Sequence, residues 1–184
     1  MQIRFYGLLA LASFSLWLGS AASARAADTD DDGREDGAGS FMLAVDLDYA
    51  GALDYDEFEG GGGIGVRAGS ELDLMLVSLI PELSVDYHSF SGPDDMNVVA
   101  GKLGGRVRFL KVLEPGVFAH VGVGHVGGVL DYTGVAFDAG VTLDFTLLPL
   151  IDIGLHGAYN SVFGGGKDVG LSYGTFGGHV ALVL

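Results

Sequence analysis

Hydrophobic and polar residues alternate along most of the chain after residue 40, and the alternation is clearest in residues 81–109. Successive side chains of a β-strand point to opposite faces, so a period of two separates an apolar face from a polar one. In this stretch the polar face carries acids and histidine first and basic residues later. Gly92, Pro93 and Asp94 lie between the two halves and favour a turn. The pattern predicts a β-hairpin with one apolar face and one charged face.

The charges of this hairpin also predict its register. If the turn centres near Pro93–Asp94, Glu82 faces Arg106 and Asp86 faces Lys102. Opposite charges in directly opposed positions stabilise an antiparallel pair of strands. We therefore expect two ion pairs along the polar face.

Eight alternating runs follow one another, and no segment after residue 40 has a helical period with capping residues. Pro81, Pro115 and Pro149 recur at equal intervals and are predicted to precede the third, fifth and seventh strands. Proline has no backbone N–H to donate to a neighbouring strand, and it is tolerated at the start of a strand. The glycine-rich residues 60–63 are predicted to lie in a connection. The repeated hairpins predict an all-β fold, an eight-stranded antiparallel up-and-down β-barrel.

The polar face of the runs is predicted to line the barrel interior. The opposite face is apolar in every run and no helix is predicted to cover it, which favours a transmembrane barrel. A soluble lipocalin-like barrel, with the apolar face inward, is the alternative. The predicted interior ionic network consists of Asp46, Asp48, Arg67, Glu82, Asp86, His88, Lys102, Arg106, Arg108, His120, Asp138, Asp144, Asp152 and His156.

Residues 1–26 have the three parts of a secretory signal peptide. Arg4 gives a basic start, an apolar core follows, and residues 24–26 satisfy the small-x-small cleavage pattern. The apolar core is shorter than the ~20 residues that a transmembrane helix needs. We therefore predict export and cleavage after Ala26.

Residues 27–39 are dense in charge and are predicted to be an acidic, solvated linker, which leaves residues 40–184 as the barrel. Asp28, Asp30 and Asp32 resemble the start of a calcium loop. Gly39 stands where the bidentate glutamate of such a loop belongs. A weak calcium site is therefore the alternative to a plain linker.

Charge and composition narrow the class of protein. The chain has a formal charge of -15 and no cysteine. Nucleic-acid binding requires basic patches, and a disulfide scaffold requires cysteine, so both classes are excluded. No cofactor is predicted. His88, His120 and His156 share the inward face but come from separate strands without local ligand spacing, so we predict no metal cluster of these three.

The hairpins, the aromatic residues at the strand ends and residues 175–182 together resemble the small eight-stranded outer-membrane barrels of Gram-negative bacteria, the OmpA/OmpX type. Residues 175–182 match the C-terminal signal of such barrels, although Leu184 replaces the usual terminal aromatic residue. The resemblance implies a location in the outer membrane with both termini periplasmic. It also implies contact with outer-membrane lipid and insertion by the barrel assembly machinery. We expect a monomer.

No motif indicates catalysis, so the sequence favours a structural or binding role. The excess of inward acids leaves a narrow, porin-like, cation-preferring channel as one alternative. His88 with Ser89 or Ser91 and Asp94 leaves a lipid-modifying enzyme at the outer rim as another.

Overall fold

The computed structural model describes residues 40–54, 59–74, 77–92, 95–110, 113–148, 150–164 and 170–184. The predicted signal peptide, the acidic linker and the calcium candidates Asp28, Asp30 and Asp32 lie outside these residues. No helix among the described residues is long and apolar enough to span a membrane.

Eight strands form a closed barrel in which each strand pairs with its neighbours in sequence and the first pairs with the last. All of these pairings are antiparallel, so the predicted eight-stranded up-and-down barrel is confirmed. The strands are β1 (Ser40–Ala52), β2 (Glu59–Asp73), β3 (Val77–Ser91), β4 (Met96–Phe109), β5 (Leu113–Gly127), β6 (Tyr132–Leu148), β7 (Ile151–Gly164) and β8 (Gly170–Val183).

The strands have the length and the alternation of membrane-spanning strands. They contain 13 to 17 residues, whereas a tilted strand crosses the hydrocarbon core with about 9–11. Buried and exposed positions alternate along much of the barrel wall, and β3 shows the alternation almost without interruption, whereas β7 has three consecutive buried residues near its end. The sequence pattern therefore reflects an inside and an outside of one barrel wall.

Two expectations about strand boundaries are wrong. The glycine-rich residues 60–63 belong to β2, where a Cβ at Gly63 would overlap the inward ring of His88. Pro81 and Pro115 lie inside β3 and β5 instead of before them. Each proline still avoids a ladder hydrogen bond: Pro81 lies at a gap in the pairing of β2 with β3, and Pro115 lies beyond the last paired residue of β5 with β4.

The barrel interior has three layers. We call the end at which residues 40 and 184 lie the terminal end, and the opposite end the loop end. A loop-end cluster of buried apolar side chains consists of Ala50, Phe90, Met96, Val98, Ala100, Val126, Tyr132, Ala136, Val162, Leu171 and Tyr173. A smaller terminal-end cluster consists of Met42, Ala44, Ile80 and Ala181. Charged side chains form the ionic layer next to the loop-end cluster, and this layer extends alongside the terminal-end cluster, whose Ile80 lies opposite Arg106.

Candidate functional site in the barrel interior

The ionic layer contains the charged side chains that the sequence places on the inward face. All of the side chains predicted for the interior network are buried, with Asp48 exposing 7% of its side chain. Four further ionisable residues share this face and were not predicted for the network. They are Glu71, Glu114, His179 and Tyr173. Glu71 and Glu114 have the same parity along β2 and β5 as the predicted members Arg67 and His120. His179 and Tyr173 lie on β8 on the face opposite its exposed apolar residues, and this alternation is the signal that would have found them.

The register of the β3–β4 hairpin differs from the predicted one by two residues. Glu82 lies opposite Gly104, and Asp86 lies opposite Ala100. Glu82 is paired with the residue two positions before Arg106, because the centre of the hairpin lies one residue earlier in the chain than predicted. Each residue of β3 therefore has a partner two positions away from the predicted one. The predicted partners still meet because long side chains reach diagonal neighbours. Lys102 Nζ lies 2.7 Å from Asp86 Oδ1, and Arg106 Nε lies 3.4 Å from Glu82 Oε1.

Arg67 joins the first three strands. Its Nε and Nη2 donate to the two carboxylate oxygens of Asp46, each at 2.8 Å, and its Nη1 donates to Glu82 Oε2 at 3.2 Å. The Arg67 side chain is only 7% exposed. A planar guanidinium that binds one carboxylate with two parallel hydrogen bonds is among the strongest ion pairs in proteins. Arg67 therefore satisfies two buried acids at once.

A second group joins β3 to β6 through Lys102 and His120. The Lys102 ammonium lies 2.5 Å from Asp138 Oδ2 in addition to its contact with Asp86. The two ring nitrogens of His120 lie 2.6 Å from Asp138 Oδ1 and 2.9 Å from Glu82 Oε1. Both nitrogens thus face carboxylates, which suits a ring that carries both protons.

Arg108 organises the end of the ionic layer nearest the terminal end. Its guanidinium lies 2.8 Å from Glu71 Oε1, 2.9 Å from Asp152 Oδ2 and 3.2 Å from Glu114 Oε2. These partners come from three other strands, so one side chain connects β4 with β2, β5 and β7. The two glutamates bring acidic charge to the barrel mouth at this end.

The three histidines considered as a metal cluster do not converge on one point: His88 and His156 contact different oxygens of Asp48, and His120 has other partners. His88 lies 3.4 Å from Asp48 Oδ2 and 3.4 Å from the hydroxyl of Tyr173, and His120 is held between two carboxylates. The structure instead brings His156 close to His179, with Asp46 beside them. One ligand atom from each of these three residues lies within 4.8 Å of the other two.

The loop-end cluster spans the lumen. Its members come from seven of the eight strands, and the rings of Phe90 and Tyr173 meet edge to face with their centroids 5.3 Å apart. The Tyr132 hydroxyl donates to the carbonyl of Val162 at 2.9 Å, so its polar atom is satisfied within the cluster. A cavity of about 60 Å³ in the ionic layer lies beneath, lined in part by Asp86 and His88. The loop-end cluster therefore packs against a small polar space in the ionic layer.

The predicted rim arrangement of histidine, serine and acid is wrong. His88 points inward and is 2% exposed, whereas Ser89 and Ser91 are exposed on the outer face. Neighbouring residues of a strand point to opposite sides, so His88 and Ser89 do not meet. Asp94 lies outside the described residues.

A different hydroxyl–histidine–carboxylate grouping lies on the outer face at the loop end. His125 Nδ1 lies 3.1 Å from Thr133 Oγ1, and His125 Nε2 lies 3.8 Å from Asp131 Oδ1. His125 and Thr133 are direct partners across β5 and β6. The side chains of His125 and Asp131 are 49% and 81% exposed, so the grouping is open to its surroundings.

The outer face of the barrel wall is apolar over its whole circumference. Its exposed side chains include Val45, Val66, Val85, Leu103, Val121, Val141, Leu155 and Val180, one from each strand. Contiguous exposed apolar surface of this extent is far larger than a monomeric soluble protein shows. It is the surface that a barrel in a bilayer presents to lipid.

Comparison with known proteins supports the fold. No protein-family model matches the sequence, and no curated protein matches it either. The solved structure of Neisserial surface protein A (NspA) is similar, with 15% identity over 77% of this chain and 96% of that chain, and a TM-score of 0.57. The outer membrane enzyme PagL has 11% identity over 77% of this chain and 98% of that chain, with a TM-score of 0.53.

At such identities the likeness establishes the fold alone. The chain has the fold of the small eight-stranded outer-membrane barrels, and the predicted resemblance to that type is confirmed at this level.

Proposed function

We propose that the protein is an integral outer-membrane β-barrel with a closed lumen and a structural or binding role. The apolar outer face supports membrane insertion, since closing the sheet satisfies every backbone polar group in lipid. Residues 1–26 support export as a signal peptide. The even number of strands supports both termini in the periplasm, with residues 175–182 as the signal for the barrel assembly machinery.

The observation that carries this proposal is the loop-end cluster. Side chains from seven strands fill the lumen there, and Phe90, Met96 and Tyr173 are at most 1% exposed. The cavity below measures about 60 Å³, whereas pockets for small organic ligands occupy about 300–1,000 Å³. A filled lumen does not support the cation-channel alternative, despite its acidic charge. Any binding role then belongs to the outer surface and the connections.

We expect the protein to be heat-modifiable and non-conducting. In the outer-membrane fraction it should run differently on SDS gels before and after boiling, because a closed barrel resists SDS. In planar bilayers the native protein should give no steady single-channel current. The matched control is Phe90→Ala with Tyr173→Ala, which removes the two rings that meet in the loop-end cluster and should introduce conductance. Regular current steps from the native protein would contradict the closed lumen.

A second candidate function is lipid modification at the outer rim. It is favoured by the contact of His125 Nδ1 with Thr133 Oγ1 on the exposed face, because a histidine beside a hydroxyl can act as its general base. PagL, which has the same fold, is described as an outer membrane enzyme. In this reading His125 takes the proton of the Thr133 hydroxyl, and Oγ1 bonds to the acyl carbon of a lipid ester. The ester bond to the lipid alcohol breaks, the alcohol leaves with the proton from His125, and water then releases the acyl group from Thr133 as a fatty acid. Asp131 orients the histidine.

The two functions are separated by a variant that keeps the barrel intact. If the rim grouping is catalytic, Thr133→Val should abolish a change in lipid composition that expression of the native protein causes, read by mass spectrometry of extracted outer-membrane lipids. Ser89→Ala is the matched control, since Ser89 is an exposed rim hydroxyl on another strand. Identical lipid profiles for cells with the native protein, Thr133→Val and no protein would exclude this candidate.

A further inference from the structure

His156 and His179 face each other inside the ionic layer. Their rings stack with centroids 5.6 Å apart and an interplanar angle of 28°, and the two Nδ1 atoms are 3.4 Å apart. Asp46 Oδ1 lies 3.8 Å from the Nδ1 of His156. All three side chains are at most 9% exposed. Two ring nitrogens and a carboxylate oxygen therefore converge among buried side chains.

The other ring nitrogen of each histidine faces an acid. His179 Nε2 lies 2.8 Å from Asp144 Oδ1, and His156 Nε2 is in contact with Asp48 Oδ1. An ionised carboxylate only accepts hydrogen bonds, so each Nε2 carries a proton. A neutral imidazole protonated at Nε2 has a lone pair at Nδ1. The two Nδ1 atoms then face the same gap, where either a shared proton or a metal ion can lie between them.

We propose that Asp46, His156 and His179 bind one first-row transition-metal dication of the zinc type in the barrel interior. Zinc bonds to histidine nitrogen are about 2.0–2.1 Å long, and tetrahedral geometry places two such nitrogens about 3.3–3.4 Å apart. The observed Nδ1–Nδ1 distance is 3.4 Å. Histidine ligands of metals also donate their second N–H to a carboxylate, which is the role of Asp48 and Asp144 here.

Asp46 completes the set as the third and weakest ligand. Its Oδ1 already accepts a hydrogen bond from Arg67 Nη2 at 2.8 Å and keeps a second lone pair for the metal. The cavity of about 60 Å³ is lined by Asp46 and His156, and it has room for a water molecule as a fourth ligand. The protein thus supplies three ligands, and a water in the cavity beside two of them would be the fourth.

The charge of the ionic layer favours a dication. Seven acids are buried in the described part of the chain, and the Asp48 carboxylate joins them with 7% exposure. Among the described residues, four buried lysine or arginine side chains oppose these acids. Buried charges without partners are costly. A divalent cation next to Asp46, Asp48 and Asp144 would reduce the excess of negative charge where it is densest.

Two glycines make room for the paired histidines and acids. A Cβ at Gly154 would overlap both Asp144 Oδ1 and the ring of His179. A Cβ at Gly177 would overlap Asp48 Oδ1, the partner of His156. The loop-end cluster fills the lumen on one side of these residues, and unfolded protein offers all three of them to the metal. The test therefore starts from unfolded protein.

The experiment uses the full protein without a polyhistidine tag. It is unfolded in urea with a chelator, transferred to detergent, and refolded with Zn²⁺ in the presence of excess Mg²⁺. Free metal is removed, folding is checked by gel mobility, and bound zinc is measured by mass spectrometry. We expect about one zinc ion per folded chain. His156→Gln and His179→Gln should lower the zinc affinity at least about tenfold, while His125→Gln, at an exposed histidine outside the cluster, should leave it unchanged.

Refolding the native protein with Co²⁺ tests the proposal without the variants, which matters if they do not fold. A nitrogen- and oxygen-ligated cobalt ion of low coordination number should give visible d–d absorption that excess zinc suppresses. Zinc retained equally by His156→Gln, His179→Gln and the native protein would overturn the proposal. The lack of cobalt absorption in folded native protein would also overturn it, and would mean that a shared proton fills the gap between the two Nδ1 atoms.

Discussion

Replacing Arg67 with methionine is expected to destabilise the folded barrel by about 3–5 kcal/mol. The guanidinium makes two 2.8 Å hydrogen bonds to Asp46 and one of 3.2 Å to Glu82, and all three side chains are at most 9% exposed. Methionine fills a similar volume but leaves both carboxylates without this partner. The free energy of unfolding should be measured by urea titration in lipid vesicles, read by gel mobility. Tryptophan fluorescence does not report on the barrel, because Trp17, the single tryptophan, lies in the predicted signal peptide.

Two control variants separate charge from geometry at this position. Arg67→Lys keeps the positive charge but cannot form the bidentate contact with Asp46. It should therefore lower the free energy of unfolding less than Arg67→Met does. Arg67→Met combined with Asp46→Asn removes one of the two unpaired charges and should recover part of the loss. If Arg67→Met lowers the free energy of unfolding by less than about 1 kcal/mol, the ion pair of Arg67 with Asp46 contributes no more than a solvent-exposed ion pair does.

Replacing Val121 with arginine is expected to cost about 2–4 kcal/mol of stability in lipid vesicles. Val121 lies near the middle of β5, and 56% of it is exposed on the outer face of the barrel. A charge there would sit in the hydrocarbon core, where it has no water. The same urea titration measures the loss.

The matched control is Val129→Arg, the same substitution at a position of equal exposure. Val129 is 55% exposed but lies in the connection after β5, at the loop end. Near the interface an arginine costs only about 0–1 kcal/mol. If Val121→Arg and Val129→Arg both lower the free energy of unfolding by the same small amount, the apolar outer face does not lie in lipid.

The period of two along each strand determined which side chains face inward. That pattern is local, since neighbouring residues of a strand point to opposite sides whatever the strand packs against. It was sufficient to predict the eight strands, the apolar outer face and the inward position of residues such as Arg67, Lys102 and His120. The same parity also marks His179 as an inward residue. The loop-end cluster was not recognised, because Phe90, Val98 and their neighbours share a face with the charged residues and differ from them only in depth.

Only the tertiary structure decided which inward groups meet. The contact of Asp48 with His156 joins residues 108 positions apart, and that of Tyr173 with His88 joins residues 85 apart. Such contacts depend on the register of every strand pair and on closure of β1 against β8, and a shift of two residues leaves the pattern of faces unchanged. The alternation of faces is therefore a property of each strand alone. The direct partners of Glu82, the closed loop end and the approach of His156 to His179 follow from the register that closure imposes on the whole barrel.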